Sequence, residues 1–186
     1  MVTFATDKII LKIDPAKDVD RFHPKNLEEF SKTCGQDHVT PPLIATILKI
    51  LESIKCEIKN KNICIISNSK TFGNTCSQAL ICKEGKATTT NIKDEELNKK
   101  TSEADILISV VGQPKFIKKE MIKRGAVIID IGITKKDGHV YGDVDFEDVK
   151  EKAGFITPVP GGVGPITIAM LFKNTLELYK ERNKNS

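Results

Sequence analysis

The sequence predicts an α/β protein built around a doubly wound parallel sheet, and three observations lead to this fold class. Apolar runs of strand length occur at residues 62–67, 104–111 and 126–131, and they are nearly continuous, as strands buried on both faces are. Stretches with helical periodicity separate these runs, so helical crossovers can connect parallel strands. Finally, 186 residues suffice for one domain with a real core.

The segment ahead of the sheet is expected to hold one short strand and two helices. Ile9-Ile10-Leu11 is interpreted as the strand, and a loop leads from it to a helix that begins near Asn26. A stronger helix follows Thr40-Pro41-Pro42, because a capping threonine and prolines suit the first helical turn. Apolar residues recur behind it at helical spacing, namely Leu43, Ile44, Ile47, Leu48, Leu51 and Ile54.

The rest of the chain alternates between predicted strands and helices. Strands are expected at residues 62–67, 86–90, 104–111 and 126–131, with a shorter one near 154–156. Helices are expected at residues 73–82 and 117–123, and a final amphipathic helix at 165–180 behind a Gly/Pro loop. This alternation is what predicts the doubly wound sheet.

Composition and charge argue against several classes of function. The 29 basic residues exceed the 25 acidic ones by four, and the lysines are scattered, which indicates a solvated surface rather than a nucleic-acid site. Aromatic residues make up 5% of the chain, so base-stacking platforms are not expected. The five cysteines lack Cys-x-x-Cys spacing, and we expect no metal site.

The N-terminal residues and the hydropathy pattern predict a cytoplasmic protein. Met1-Val2-Thr3-Phe4-Ala5 lacks the basic start and long apolar stretch of a signal peptide. No apolar run approaches membrane-spanning length, so a membrane partner is not expected either.

A polar turn follows the first strand of the predicted sheet, where ligands bind in such folds. It comprises Ser67-Asn68-Ser69-Lys70-Thr71-Phe72-Gly73. Its backbone N–H groups, the serine hydroxyls and the following helix N-terminus could bind a nucleotide phosphate. The turn has only one glycine and does not match Gly-x-Gly-x-x-Gly, so an ordinary polar loop is an equal alternative.

A second candidate is the loop that feeds the last helix. Three glycines and three prolines fall within the eight residues from Pro158 to Pro165. This composition makes a stiff loop whose bare backbone can approach a flat ligand closely. A connector between two elements needs no such composition, and we therefore favour a ligand loop over a connector.

These residues carry a family resemblance. The string PVPGGVGPITIAML, residues 158–171, resembles the signature of the methylenetetrahydrofolate dehydrogenase/cyclohydrolases. Shorter strings follow the family's order, namely Lys17-Asp18-Val19-Asp20, Phe22-His23-Pro24-x-Asn26, Thr40-Pro41, Ala104-Asp105-Ile106, Gly112-Gln113-Pro114, GAVIIDIGI at 125–133, Gly142-Asp143-Val144 and Phe155-Ile156-Thr157. The similarity runs from about Ile9 to Tyr179.

The resemblance implies a Rossmann-like fold and a bifunctional step of one-carbon metabolism. A hydride passes from 5,10-methylenetetrahydrofolate to NADP, and water then opens methenyltetrahydrofolate to 10-formyltetrahydrofolate. It also implies three regions: residues 1–25 as the end of a catalytic domain and a linker, 26–160 as the NAD(P)-binding domain, and 161–186 as the ligand loop and closing helix. A homodimer is expected on the same ground.

The resemblance also assigns candidate site residues. Asp20 corresponds to the family's pterin-binding carboxylate, whereas Asp18 either shares that task or organises the loop. Ser67, Asn68 and Ser69 stand where the family's Gly-Arg-Ser binds the cofactor, with Gly73 behind them, and Ile133 stands on the nicotinamide side. The expected folate-binding set is Pro160, Gly161, Gly162, Val163, Gly164, Pro165, Ile166, Thr167 and Ile168.

The first departure from the family concerns catalysis. Family members carry a Tyr-x-x-x-Lys motif and a Gln-Leu-Pro-Leu-Pro run in a preceding domain, and neither occurs in these 186 residues. We therefore identify no catalytic residue. Because general acid–base catalysis contributes about 10²–10⁴-fold, we expect this chain alone to be impaired.

The second departure concerns the cofactor. Asn68 stands in place of the family's arginine and cannot supply a cation to the 2′-phosphate of NADP. Lys70 or Lys93 could substitute electrostatically. We expect NADP binding to be weakened, shifted toward NAD, or lost.

The third expectation from the family comparison concerns the last helix. In the family it packs on the catalytic domain, so we expect it to expose an apolar face or to meet a partner chain. That predicted face comprises Ile166, Met170, Leu171, Leu176 and Leu178.

Three interpretations remain open at this stage. The chain is one part of a dehydrogenase/cyclohydrolase completed by a separate catalytic half, a catalytically dead dinucleotide- or folate-binding module, or a remnant without a selected activity. A companion polypeptide bearing the two missing motifs would favour the first.

Overall fold

The computed structural model describes residues 5–35 and 39–184, which fall into two compact units. The first unit consists of residues 1–49 and 166–186, and the second of residues 50–165. The functional division predicted above, at 25/26 and 160/161, stays a prediction. Residues 1–4, on which the expectation of no signal peptide partly depends, lie outside the described part.

In chain order, the elements are α1 (Ala5–Ile10), α2 (Pro24–Thr33), α3 (Pro42–Ser53), β1 (Asn62–Ser67), α4 (Lys70–Ile81), β2 (Lys86–Thr90), α5 (Leu97–Ser102), β3 (Ile106–Val110), β4 (Val127–Asp130), β5 (Thr134–Lys136), β6 (His139–Tyr141), α6 (Phe146–Val149), β7 (Phe155–Ile156) and α7 (Val163–Lys184). Strands and helices alternate from α3 to β3, and the other elements flank this stretch. Short 3₁₀ turns occur at Pro15–Lys17 and Lys119–Met121.

The predicted parallel sheet is confirmed in the second unit. Its five strands lie in the order β2-β1-β3-β4-β7, and every neighbouring pair is parallel. The central strands are buried on both faces, as their continuous apolar runs predict. Burial also raises the pKa of the Cys64 and Cys76 thiols to about 12, so both cysteines pack as small apolar residues.

Two predicted elements are wrong. Ile9 and Ile10 end helix α1 rather than forming a strand, because an apolar triplet is too short to distinguish the two structures. Residues 117–123 contain only the 3₁₀ turn instead of a helix. The reason is that Ile117 pairs with the segment after β6: its N–H donates to Asp143 O and its carbonyl accepts from Asp145 N.

Three helices begin earlier than predicted, at Pro24, Lys70 and Val163. In the first two, the residue just before the helix caps it: His23 Nδ1 accepts from Lys25 N, and Ser69 Oγ accepts from Phe72 N. The β5–β6 hairpin was missed. Its turn contains Asp137-Gly138, both with positive φ, and an Asp-Gly pair is a recognisable hairpin signal.

Candidate functional site

The turn between β1 and α4 is organised by its own serines. Ser67 Oγ accepts a hydrogen bond from Ser69 N at 3.0 Å and donates to Ser69 O at 3.1 Å. Ser69 Oγ then accepts from Phe72 N at 3.3 Å and caps α4. The two hydroxyls therefore hold the turn in shape and are engaged with the backbone.

The beginning of α4 is suited to bind an anion. The first N–H groups of a helix have no acceptor within the helix, and the cap of Ser69 satisfies only that of Phe72. The N–H groups of Lys70 and Thr71 remain for a ligand, and both residues are exposed. The partial positive charge of the helix end and the Lys70 ammonium favour a phosphate there. These residues fit the phosphate of a dinucleotide.

Asn68 connects this turn to the neighbouring strand. Its amide Nδ2 donates to Val111 O, the first residue after β3, at 2.9 Å. The side chain that occupies the position of the family's arginine therefore has a structural bond across the sheet edge. It supplies no positive charge there.

Gly73 allows α4 to pack closely on β2. A Cβ atom at this position would lie 2.6 Å from Thr89 Cγ2, too close for a real contact. The Thr89 hydroxyl also donates to Gly73 O at 3.3 Å. Gly73 therefore allows α4, the helix that follows the phosphate-binding turn, to pack closely on β2.

Two buried aspartates, which the sequence analysis did not single out, shape the ends of β3 and β4. The fully buried Asp143 accepts from Ser109 Oγ, Val111 N and Gln113 N at 2.7–2.9 Å. Asp130 accepts from the N–H groups of Gly132, Asp143 and Val144 at 2.9–3.0 Å. Each carboxylate thereby fixes a loop at the edge of the sheet where ligands bind.

The glycines around these aspartates could have indicated their burial. A Cβ at Gly132 would lie 2.2 Å from the carboxyl carbon of Asp143, and one at Gly142 would lie 2.0 Å from Asp130 Oδ2. In the quoted strings Gly142 directly precedes Asp143, and Gly132 follows Asp130 by two positions. Burial raises the pKa of Asp130 to about 6, although its three backbone hydrogen bonds act in the opposite direction.

These contacts form one continuous chain of hydrogen bonds, which we call the strand-end network and define as Asn68, Val111, Asp143, Asp130 and Thr157. Asn68 binds Val111 O, Val111 N binds Asp143, Asp143 N binds Asp130, and Asp130 N binds Thr157 Oγ1 at 2.8 Å. The network joins the residues that end or follow β1, β3, β4 and β7. It therefore fixes the carboxyl ends of these four strands, from the phosphate turn to the Gly/Pro loop.

Ile133 lies just beyond this network and is 64% exposed. The neighbouring Gly132 N is held by Asp130, and β5 begins at Thr134. A large apolar side chain is thus presented to solvent on a fixed backbone, which suits contact with a flat apolar ring.

The Gly/Pro loop begins at the network and ends in α7. The Val159–Pro160 peptide bond is cis, and Gly161 has a φ of +101°, a conformation that favours glycine. Gly162 N donates to Pro158 O, and a Cβ at Gly162 would lie 2.4 Å from that oxygen. The loop is therefore a closed turn. Of its folate-binding candidates, Val163 is buried and Ile168 is exposed.

Asp18 and Asp20 differ in environment within the first unit. Asp18 is buried, and its Oδ2 accepts from His23 N at 2.7 Å and Asn26 Nδ2 at 2.9 Å, so it organises the loop. Asp20 is exposed as a residue, yet its carboxyl is partly shielded. That partial burial, together with the charge of Asp18, raises the pKa of Asp20.

The structure brings some of the candidates together. Ser67, Asn68 and Ser69 lie in one turn, and Gly73 lies in the first turn of α4 behind it. Pro160 to Gly162 lie in one loop and Val163 to Pro165 begin α7, and the network links this segment to the turn. Asp20 lies in the first unit, where Asn174 of α7 donates to Val19 O beside it. Among the described residues, no cluster of His, Cys, Asp or Glu is arranged to hold a metal, and no helix has the length and hydrophobicity to span a membrane.

Comparison with known proteins gives a consistent result. Residues 41–183 match the family described as "Tetrahydrofolate dehydrogenase/cyclohydrolase, NAD(P)-binding domain". The chain is 46% identical over 181 residues to the Bifunctional protein FolD of Sulfurihydrogenibium and 42% identical over 175 residues to that of Hydrogenobaculum. It covers 62% and 63% of their lengths, and these alignments include 95% and 94% of this chain.

Solved structures agree. The FolD methylenetetrahydrofolate dehydrogenase/cyclohydrolase of Campylobacter jejuni is 35% identical with a TM-score of 0.88, and the match covers 95% of this chain and 62% of that one. The Trypanosoma brucei enzyme, solved with NADP cofactor and inhibitor, is 30% identical with the same TM-score and corresponding coverages of 95% and 63%. The chain belongs to the tetrahydrofolate dehydrogenase/cyclohydrolase family.

Proposed function

We propose that this chain is the cofactor-binding part of a methylenetetrahydrofolate dehydrogenase/cyclohydrolase and that it binds NADP. The strand-end network carries the proposal, because it holds the phosphate turn and the Gly/Pro loop in fixed relation at the ligand-binding edge of the sheet. Family membership and the NADP complex of the Trypanosoma brucei relative support the same assignment.

Residues of the phosphate turn would hold the cofactor. The Lys70 and Thr71 N–H groups and the Lys70 ammonium would bind its phosphates, and Ile133 would lie on the nicotinamide side. When bound, the nicotinamide supplies a hydride acceptor for the methylene group of 5,10-methylenetetrahydrofolate. The protein would contribute the orientation of the bound cofactor.

The folate would bind through Asp20 and the loop from Pro160 to Ile168. A carboxylate accepts hydrogen bonds from the amino and N–H groups of a pterin. Partial burial and the neighbouring Asp18 raise the pKa of the Asp20 carboxyl, and only its charged form offers acceptors alone. Opening of the methenyl product by water to 10-formyltetrahydrofolate belongs to the same proposal.

Asn68 sets the expected cofactor preference. It supplies a neutral amide, so we expect the affinities for NADP and NAD to lie within about tenfold of each other. Replacing Asn68 with Arg should shift the ratio toward NADP by about tenfold or more, whereas Asn68→Ala, which loses only the bond to Val111, should weaken both cofactors alike. Calorimetric titration with each cofactor measures this. Strong NADP preference in the unaltered chain would contradict the interpretation of Asn68.

Turnover is expected to need groups that these 186 residues do not contain. Neither Tyr-x-x-x-Lys nor Gln-Leu-Pro-Leu-Pro is present, so we propose that a separate catalytic-domain chain or segment supplies the proton-transfer lysine. The chain alone should be slower than complete relatives by about 10²–10⁴-fold in an absorbance assay of NADPH formation. Full turnover by the chain alone would refute this part.

A second candidate is a binding module without catalysis. The phosphate turn and the strand-end network favour it, because they account for cofactor binding without any catalytic group. Cofactor binding that persists without turnover, even after a catalytic half from a relative is added, would support the module; restored turnover would support the enzyme part. For either, we propose a homodimer, which gel filtration with light scattering tests, and a cytoplasmic location, which cell fractionation tests.

A further inference from the structure

Arg21, next to the proposed pterin-binding aspartate, is held in an unusual environment. Its φ is +60°, in the left-handed region that non-glycine residues rarely adopt. Only 5% of the residue is exposed, and its Nε has no hydrogen-bond partner among the described residues. A buried guanidinium with an unpaired donor is costly, which suggests that this side chain has a ligand.

The paired edge of the guanidinium shows what kind of ligand fits. Nε–H and one Nη2–H point the same way and match the two oxygens of a carboxylate. Glu29 Oε2 forms an ion pair with this edge, but it lies 3.6 Å from Nη2, beyond a good hydrogen bond. The Glu29 side chain is also about half exposed and so loosely held.

Arg21 lines a cavity of about 360 Å³ within the first unit. This volume lies at the small end of the range for small-molecule sites. Asn26 and Arg182 share the lining, as do Glu29 and Glu181. The lining thus contains two arginines and two glutamates, and Glu29 pairs with Arg21. An incoming anion must therefore displace Glu29 from Arg21.

We propose that this cavity binds a small carboxylate. Arg21 donates hydrogen bonds to it from Nε and Nη2 after Glu29 turns toward solvent. The ligand would lie beside the aspartate loop, since Arg21 N donates to Asp18 O at 3.3 Å. The proposal does not depend on the folate or cofactor assignment. It concerns residues of the first unit, which lie in α2, in α7 and in the segments before and after α2.

Calorimetric titration of the full chain with succinate at low salt tests the site. The unaltered chain should bind. Glu29→Gln should bind about tenfold more tightly because the competing carboxylate is gone, and Arg21→Gln should bind at least about tenfold more weakly. Arg124→Gln removes the same charge from an exposed position of the second unit and should change nothing.

Several outcomes would overturn the proposal. One is that neither the unaltered chain nor Glu29→Gln binds succinate. Another is that Arg21→Gln binds it as tightly as the unaltered chain. A third is that Arg124→Gln weakens binding as much as Arg21→Gln, which would indicate non-specific attraction. If Arg21→Gln fails to fold, Arg21→Lys decides: it keeps the charge without the fork and should still bind more weakly. Tighter binding of inorganic phosphate than of succinate would overturn the carboxylate class.

Discussion

Single carboxylates determine the geometry of the candidate site. Asp143 and Asp130 are buried without a cation, and their charge is stabilised by backbone N–H groups and one serine hydroxyl. Each accepts three hydrogen bonds, so neither has an easy isosteric replacement. Asp18 acts in the same way in the first unit through His23 N and Asn26.

Asp143→Asn should destabilise the chain by about 2–4 kcal/mol. An amide offers one acceptor oxygen where three donors converge, and its NH₂ group would face a buried N–H. Urea unfolding measures the change. Asp137→Asn, at an exposed left-handed position of the β5–β6 turn, is the matched control and should stay within about 0.5 kcal/mol. Equal effects of both substitutions would contradict the role of Asp143.

Asp130 should make stability depend on pH in a defined window. Its pKa rises from 3.8 to about 6 on folding because burial disfavours the charged form. Its contribution is therefore fully present below about pH 4 and is lost as the pH rises through 6, a change of about 3 kcal/mol. The difference between the unfolding free energy of the unaltered chain and that of Asp130→Asn should fall from pH 4 to pH 7. A difference that is flat or rises would refute the shift.

At the scale of elements, the contact between α4 and β2 holds the phosphate turn in position. Gly73 lies against Thr89, and no larger residue fits without a shift of the helix. A glycine within a helix costs about 1 kcal/mol relative to alanine, so its presence here reflects packing and not helix propensity.

Gly73→Ala should cost about 1–3 kcal/mol in the unaltered chain because the new methyl group collides with Thr89 Cγ2. The companion substitution Thr89→Ser removes that methyl group and keeps the hydroxyl that donates to Gly73 O. In the serine background Gly73→Ala should be neutral or stabilising. A double-mutant cycle by urea unfolding measures the coupling. Equal costs in both backgrounds would show that packing is not the reason.

On the scale of the whole molecule, the last helix exposes an apolar stripe. It consists of Ile168, Phe172, Leu176 and Tyr179, each more than half exposed. Of the five residues predicted for this face only Leu176 belongs to it, while Leu178 is buried. Such a row of large apolar side chains is typical of a surface that meets another chain.

Removing the stripe should reduce association of the chain. Phe172→Lys combined with Leu176→Lys should lower the fraction of larger species seen by sedimentation velocity at rising concentration, since the apolar area that drives association is gone. Glu57→Lys changes the net charge by the same amount at an exposed position far along the chain from α7 and should leave the distribution unchanged. Identical sedimentation of the double variant and wild type would contradict the prediction.

Local patterns were sufficient for the parallel sheet, α3 and α7, because long buried runs and long periodic helices leave little ambiguity. They failed for Ile9-Ile10-Leu11 and residues 117–123, where short apolar segments take their structure from distant partners. The bond between Ile117 and Asp143 joins residues 26 positions apart, and no window along the chain contains that information.

The family, the Gly/Pro loop and the polar turn after β1 could be predicted from the sequence, because each depends on residue types at close spacing. The roles of Asp143 and Asp130, the bond that occupies Asn68 and the buried, unpaired Nε of Arg21 emerged only in the folded chain. The sequence shows only that a carboxylate or guanidinium is present at a position. Its chemistry depends on burial and on donors from remote segments, which folding alone brings together.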